Sequence, residues 1–324
     1  MSSTSDTKSL IEGVRAGDTR ALARAITLVE DGDPASYDLV AALYPDTGRA
    51  HAVGFTGPPG VGKSSLVSAL VAHARGLGST VGVISVDPSS PFTQGALLGD
   101  RIRLADHFLD PGVFIRSMGT RGHAGGLAEA TLQALLLLDA SGKDVVFLET
   151  VGSGQGDVGI LSIADTVVLA LQPGSGDSVQ ALKAGIMEIP DVIAVNKSDH
   201  PLARATATDV RQVLALGPRE LLKPPVILTD ALNGTGIAEL WQAIEAHRES
   251  GGLDERRRRN VAAEVFAVAS ARARRHLEAT VADDPELARL LEQVQRRELD
   301  PLSAVRAILS RVFHLGDQDS SDTR

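Results

Sequence analysis

The chain contains no cysteine in its 324 residues. That excludes disulfides, a thiolate nucleophile and any Cys-ligated zinc or iron–sulfur centre. Aromatic residues make up only 3%, so a core has to be built from Leu, Val, Ile and Ala; at 43% hydrophobic, the chain can build a sizeable one. Long apolar runs are missing as well. The longest, such as LQALLLLDA, fall well short of the roughly 20 residues a spanning helix needs, so no membrane association is expected. The N-terminal MSSTSDTKSL lacks the apolar stretch of a signal peptide, and the expected setting is the cytoplasm. Positive charge is in deficit: 32 Lys and Arg stand against 41 Asp and Glu. The net charge of −9 argues against nucleic acid as the main partner. The histidines show no metal-ligand spacing, and His107 and His123 read as ordinary.

What is present is organised around GPPGVGKSS, Gly57 to Ser65. It fits the phosphate-loop pattern G-x-x-x-x-G-K-[ST], with Gly57, Gly62, Lys63 and Ser64 at the fixed positions. Successive backbone N–H groups of a tight loop can converge on one phosphate. Glycines at 57, 60 and 62 let the backbone turn without a Cβ in the way. Pro58 and Pro59 have no N–H, so the cradle falls to the amides of Gly60, Val61, Gly62, Lys63, Ser64 and Ser65. Lys63 places an ammonium on the terminal phosphates, the Ser64 hydroxyl can ligate Mg²⁺, and the following helix adds its positive end. The flanks support this. HAVGFT reads as a short buried strand, and Leu66, Val67, Leu70, Val71, Ala74 and Leu77 recur at helical spacing.

Residues 1–50 read as a helical extension, with Asp18 as N-cap of TRALARAITLVE and a second short helix ended by Pro45. It is expected to pack on the domain or on a partner, in the simplest case as a lid over one end of a sheet. From 51 to 250 strands alternate with helices. Strands are expected at 51–56, 80–87, 113–118, 144–151, 166–172, 192–196 and 225–230. Helices are expected at about 63–77, 97–109, 126–140, 178–187, 202–215 and 236–249. Continuous β-branched strands indicate an α/β domain, a P-loop NTPase with a mostly parallel sheet covered by helices on both faces. Ligands then bind outside the carboxyl ends of the strands. From 251 to 324 the chain reads as GGLDERRRRN, a linker with a basic run, then helices too thin for their own core, then a tail expected to be disordered. Arg256 to Arg259 suit either phosphate, an acidic partner or a solvated helix start.

Asn196-Lys197-Ser198-Asp199 follows the apolar strand VIAV, the N-K-x-D arrangement of GTP-binding proteins. A carboxylate at Asp199 can accept from guanine N1–H and N2–H₂ together, whereas adenine would leave it unpaired. The Lys197 stem can lie over the base, and the Asn196 amide can tie this loop to the phosphate loop. Thr229-Asp230-Ala231 sits where such proteins put a backbone amide, here that of Ala231, on guanine O6. Glu149-Thr150-Val151-Gly152 ends the strand VVFLE, where nucleotide switches usually read D-x-x-G. The Gly152 amide meets the γ-phosphate in that arrangement. Mg²⁺ keeps several waters, so Ser64 is expected to ligate directly, with Asp87 and Glu149 direct or through water. Asp100 is a further candidate ligand or a cap for the helix RIRLADHF. Gln155 is a candidate to position the attacking water or an ordinary loop glutamine. The glycine-rich loops Gly152 to Gly156 and Pro173 to Asp177 are candidate switches.

The chain resembles the MeaB/ArgK family of P-loop GTPases, G-protein chaperones of adenosylcobalamin-dependent acyl-CoA mutases. The resemblance runs from about residue 8 to about residue 313 and rests on GFTGPPGVGKSSL, ISVDPSSPFTQGALLGDRIRL, FIRSMGTRGHAGGLAEAT, FLETVGSGQGD, QPGSGDSVQALKAGIMEIPDV, VNKSD and DPLSAVRAIL. It implies Mg·GTP hydrolysis to GDP, a homodimer through C-terminal helices, and switch loops that engage the mutase. By motif, Lys63, Ser64, Asp87, Asp100 and Glu149 match the family's phosphate and Mg²⁺ residues. Asn196, Lys197 and Asp199 match its base readers, and Gln180 and Lys183 match its extra switch segment. Val179 and the Thr229-Asp230-Ala231 ending depart slightly from the family pattern. Three competing functions remain at this point. An ATP-using kinase for amino-acid transport is opposed by NKSD. A metallochaperone GTPase is opposed by the absence of cysteine. A nucleotide-bound scaffold with negligible hydrolysis is left open.

Overall fold

A computed structural model describes residues 4–87, 104–119, 124–150, 162–174, 190–215, 223–250 and 253–313. The chain divides into two compact units, Met1–Val265 and Phe266–Arg324. The first unit opens with helices α1 (Thr4–Arg15), α2 (Thr19–Glu30) and α3 (Ala35–Leu43). Asp18 caps α2 as expected, accepting from the Ala21 amide at 2.7 Å. Pro45 lies inside a short 3₁₀ turn, Tyr44–Asp46, that continues directly from α3. Strands and helices then alternate: β1 (His51–Thr56), α4 (Lys63–Gly76), β2 (Val81–Asp87), β3 (Val113–Gly119), α5 (Ala124–Ala140), β4 (Val145–Thr150), β5 (Thr166–Leu171), β6 (Val192–Val195), α6 (Ala203–Ala215), β7 (Val226–Leu228) and α7 (Ile237–Glu249). Of the helix expected at 97–109, residues 104–109 are described and contain only a 3₁₀ turn, Ala105–His107. The helix expected at 178–187 lies outside the described residues, as does the tail from 314.

The seven strands form one sheet in the order β3-β2-β4-β1-β5-β6-β7, and every pairing is parallel. The central strands β1, β4, β5 and β6 are buried at every position, which is why they read as continuous apolar runs. Side chains alternate between the two faces. Val53, Phe55, Phe147 and Val168 pack with Leu66, Leu70 and Val71 of α4 and with Leu240 and Ile244 of α7. Ala52, Val146, Leu148 and Val167 pack with Leu137 and Leu138 of α5 on the other side. Phe55 and Phe147 meet edge to face, centroids 5.7 Å apart. Truncating a buried leucine such as Leu70 to alanine would cost about 2–5 kcal/mol.

The N-terminal helices do not cap an end of the sheet. They form an outer layer over α5, and Leu10, Val14, Leu22, Ile26 and Leu39 join the same apolar cluster as Leu137 and Leu138. An amphipathic helix buries its apolar stripe wherever a complementary face is left, and α5 has apolar residues all round. Arg116 of β3 adds a polar tie, pairing with Glu30 and donating to Thr27 Oγ1 at 3.1 Å.

The residues read as a linker are helical from Leu253, in the long helix α8 (Leu253–Asp283). Nor is the basic run simply solvated. The Arg257 guanidinium grips Asp165 with Nε–Oδ1 2.6 Å and Nη2–Oδ2 2.7 Å, and donates to the carbonyls of Gly48 and Ala50 at 3.0 Å each. Asp165 in turn accepts from the Ala52 amide at 3.0 Å, so one buried carboxylate joins β1, β5 and the start of α8. Beside it, His51 Nε2 and His247 Nδ1 each lie 2.8 Å from Thr166 Oγ1, and His247 Nε2 faces Asp191 Oδ1 at 3.3 Å. Burial pushes His51 down to about 4 despite the opposing pull of Asp165, with Arg248, His247 and Arg257 lowering it further.

The second unit contains the end of α8, then α9 (Pro285–Gln295) and α10 (Pro301–Phe313). Asp284 caps α9, accepting from the Glu286 amide at 2.9 Å, and Arg311 pairs with Asp284 at 2.8 Å and with Glu286. Among its described residues, Leu287 and Ala304 are the buried apolar side chains, while Phe266, Leu291, Leu302 and Val305 are exposed.

Candidate functional site: a phosphate loop joined to a base loop

Strand β1 stops at Thr56, and the next six residues, Gly57 to Gly62, turn into α4. Positive φ at Gly57 (140°), Gly60 (79°) and Gly62 (93°) gives the loop its curl. Side chains are excluded at two of these positions for different reasons. A Cβ on Gly57 would lie 2.1 Å from the Ala170 carbonyl oxygen, and one on Gly62 would lie 2.5 Å from Asn196 Nδ2. Val61 is fully buried and anchors the loop between them. Gly62 ends the loop as the N-cap of α4, whose first turn leaves amide N–H groups without intrahelical partners. The Lys63 ammonium folds back over the loop, donating to the carbonyls of Gly57 at 2.7 Å and Pro58 at 3.1 Å. Ser65 follows, half buried.

The neighbouring strand ends bring the other residues to this edge. In the β1–β4 register Phe55 pairs with Glu149, which puts that carboxylate beside the loop. Ser64 Oγ donates to Glu149 Oε1 at 2.5 Å, and both side chains are buried. Asp87 is the last residue of β2, at the same carboxyl edge, in register with Gly119. Ser85, the register neighbour of Glu149 on β2, has a buried hydroxyl oxygen with no hydrogen-bond partner. Asp100, Gly152, Gln155, Gln180 and Lys183 lie outside the described residues.

Asn196 joins the phosphate loop to two further loops. It is 3% exposed. Its amide nitrogen donates to the Val61 carbonyl at 2.9 Å. Its amide oxygen accepts from the Ala231 amide at 3.2 Å and from Thr229 Oγ1 at 3.4 Å. The loop after β7 is thus closed onto the loop after β6, and a Ser198 amide bond to the Thr229 carbonyl at 2.9 Å reinforces it. Lys197 has φ 59° and an exposed side chain that crosses to the Gly60 carbonyl at 3.0 Å. The Asp199 side chain is exposed beside it. Asp230 turns inward: it accepts from the Leu232 and Asn233 amides and from Asn233 Nδ2, and these bonds, that side chain's first, hold its carboxyl below the usual range. Sequence reasoning placed Asn196 on the phosphate loop. It missed the Thr229 hydroxyl and Gln172, whose Oε1 accepts from Lys197 Nζ at 2.5 Å. Both directly follow the end of a strand of the sheet, which is the one signal that could have marked them.

A glycine-curled loop opening a helix, a serine and carboxylate at its mouth, and a second loop tied to it from two strands away at the same edge of a parallel sheet define a P-loop nucleotide hydrolase. The match to known proteins narrows this. The family model "Methylmalonyl Co-A mutase-associated GTPase MeaB" matches residues 22–282, and the chain belongs to that family of GTP-hydrolysing proteins. It is 48% identical to a protein of Pyrococcus abyssi described as a GTPase, over 94% of this chain and 96% of that one. It is 35% identical to the mitochondrial methylmalonic aciduria type A homolog of Caenorhabditis elegans, over 77% of this chain and 68% of that one. The crystal structure of a LAO/AO transport system kinase superposes with a TM-score of 0.72 at 26% identity, covering 97% of this chain and all of that one. Among the described residues no helix is long and apolar enough to cross a membrane.

Proposed function

We propose that this GTPase is a Mg²⁺-dependent G-protein chaperone that gates cofactor loading, protection or repair in an adenosylcobalamin-dependent acyl-CoA mutase. The observation that carries the reading is the tie through Asn196, which joins phosphate loop and base loop in a chain of a family described by its association with the mutase. In this reading the amides of Gly60 to Ser65 hold the phosphates, and Lys63 exchanges the Gly57 and Pro58 carbonyls for terminal phosphate oxygens. Asp199 takes guanine N1–H and N2–H₂, the Lys197 stem covers the base, and the Ala231 amide serves O6.

The residues at the loop mouth fit Mg²⁺. Ser64 and Glu149 present oxygen donors to each other, and the unpartnered Ser85 hydroxyl suits a shell of ordered water. Ser64 would hold the ion, with Glu149, Asp87 and Asp100 direct or through water. Bound there, the ion would supply positive charge to offset that of the phosphate oxygens. Gly152 would offer its amide to the γ-phosphate and Gln155 would orient the attacking water, whose oxygen bonds to the γ-phosphorus as the bond from that phosphorus to the β–γ bridging oxygen breaks, GDP leaving and the water's proton passing to the released phosphate.

We assign residues 1–50 to a helical extension, 51–250 to the GTPase domain and 251–324 to a homodimerisation region. The thin core and exposed Phe266, Leu291 and Leu302 of the last part support that assignment. The segment Pro173 to Ile189, with Gln180 and Lys183, is assigned to the mutase. A second reading is an ATP-using kinase linked to amino-acid transport. The likeness of the fold to a protein described as a LAO/AO transport system kinase favours it. The test is GTP turnover with and without purified cobalamin mutase, with calorimetry of GTP against ATP. Stimulation by the mutase, lost in Gln180→Ala or Lys183→Ala, supports the chaperone reading. Comparable affinity for ATP removes the guanine site, and no stimulation by any such mutase removes the partner.

A further inference from the structure

We infer that Gln172 is a positioning residue for guanine recognition: its side-chain oxygen holds the Lys197 ammonium over the phosphate loop, so nucleotide retention depends on the end of β5 as well as on β6. This rests on the reading of Asn196 to Asp199 as the base loop.

Lys197 has a left-handed backbone, φ 59°, which a non-glycine residue keeps only where its surroundings enforce it. Hydrogen bonds on either side do so: the Asn196 amide donates to the Leu171 carbonyl at 2.8 Å, and the Ser198 amide to the Thr229 carbonyl at 2.9 Å. These aim the side chain towards the phosphate loop but do not fix its far end. Four rotatable bonds in an exposed lysine would otherwise leave the ammonium wandering. Two acceptors pin it. One is the Gly60 carbonyl at 3.0 Å and the other is Gln172 Oε1 at 2.5 Å. One acceptor leaves the ammonium free to swing about it, and a second acceptor on a different element restricts that swing.

Gln172 is itself held in place. It directly follows Leu171, whose carbonyl carries the Asn196 amide, so ladder pairing between β5 and β6 sets its offset from Lys197. The chain beyond it also follows the base loop. At Gly174, φ 76°, a Cβ would lie 3.7 Å from Leu202 Cδ1 and 4.0 Å from His200 Cε1. Gln172 is half-buried directly beyond a strand that is buried at every position, and its side-chain oxygen accepts from the lysine.

The test is the dissociation rate of a fluorescent GDP from wild type, Gln172→Leu, Gln172→Glu, Lys197→Ala and the Gln172→Leu/Lys197→Ala double variant. Losing one charge-assisted acceptor should speed release about tenfold in Gln172→Leu. Gln172→Glu keeps an acceptor and should release GDP no faster than wild type. The double variant should release GDP more slowly than the product of the two single effects, because Gln172 acts on the base loop through that lysine. A Gln172→Leu rate within about twofold of wild type, or single effects that simply multiply in the double variant, overturns the inference. If Gln172→Leu does not fold, Gln172→Asn, one methylene too short to reach, carries the same expectation. Asp199→Asn separates the two readings. If it fails to move preference from guanine to xanthine, the base loop itself is wrong and the inference falls with it. If it succeeds while Gln172→Leu is inert, only the role of Gln172 is lost.

Discussion

Replacing Gly57 by alanine should damage this protein more than replacing Gly60, although both glycines have positive φ in one loop. At Gly60 the added Cβ meets open space, so the penalty is the left-handed backbone alone, about 1–2 kcal/mol. At Gly57 the Cβ would sit 2.1 Å from the Ala170 carbonyl oxygen, 3.1 Å from its carbon and 3.3 Å from its nitrogen. An ordinary carbon–oxygen contact is about 3.3 Å, so the loop and β5 must part by roughly 1 Å. No side chain can swing aside, because the obstacle is the backbone of a strand paired on both sides. Strain of about 1–3 kcal/mol plus about 1 kcal/mol for one ladder hydrogen bond gives roughly 2–4 kcal/mol, about 1–2 kcal/mol beyond Gly60→Ala. Urea unfolding of the nucleotide-free proteins measures the difference, and GDP calorimetry shows whether the displaced loop still binds. Gly236 is a matched control outside the phosphate loop: its Cβ would lie 2.0 Å from the Leu228 carbonyl oxygen. Gly236→Ala should therefore lose stability to a similar degree. Equal stability of the Gly57 and Gly60 variants would refute the steric argument.

Two further outcomes follow from the amino edge of the sheet. Burial lowers His51 from 6.5 to about 4 in the folded chain, so between these values the unfolded state takes up a proton that the folded state refuses. The resulting stability is complete above pH 6.5 and drains away as the pH falls towards 4, by about 3 kcal/mol at the limit. Urea midpoints across that range should flatten in His51→Gln, and an unchanged slope would assign the acid loss to other groups. Removing the guanidinium in Arg257→Ala leaves the buried Asp165 carboxylate without its main counter-charge and should destabilise by roughly 3 kcal/mol. Asp165→Asn in the same chain should recover part of that loss, and full additivity of the two changes would count against a direct pair.

The sequence by itself determined most of the elements and marked the residues of the candidate site. A phosphate loop is legible because its requirements are local: glycines where the backbone must curl, a lysine and a serine at the next helical positions, a buried strand before them. The central strands were legible because burial on both faces leaves continuous apolar runs such as VIAV and TVVLAL. NKSD is a common polar turn by itself and stood out only because it ends a later buried strand behind a phosphate loop. What the tertiary structure alone decided is which of these pieces touch. Strand order 3-2-4-1-5-6-7 puts β4 and β5 on either side of β1, though about 90 residues or more separate each of them from it in the chain. Asn196 reaches Val61 across 135 positions, Arg257 reaches Asp165 across 92, and Lys197 finds Gln172 on a different strand. The N-terminal helices were visible from their stripes, but that they lie on α5 rather than at an end of the sheet was not. Periodicity reports which side of an element is apolar. The partner of that side, and of each polar group at a strand end, is set by close packing and by the need to satisfy buried donors and acceptors, and both are properties of the assembled sheet rather than of any stretch of sequence.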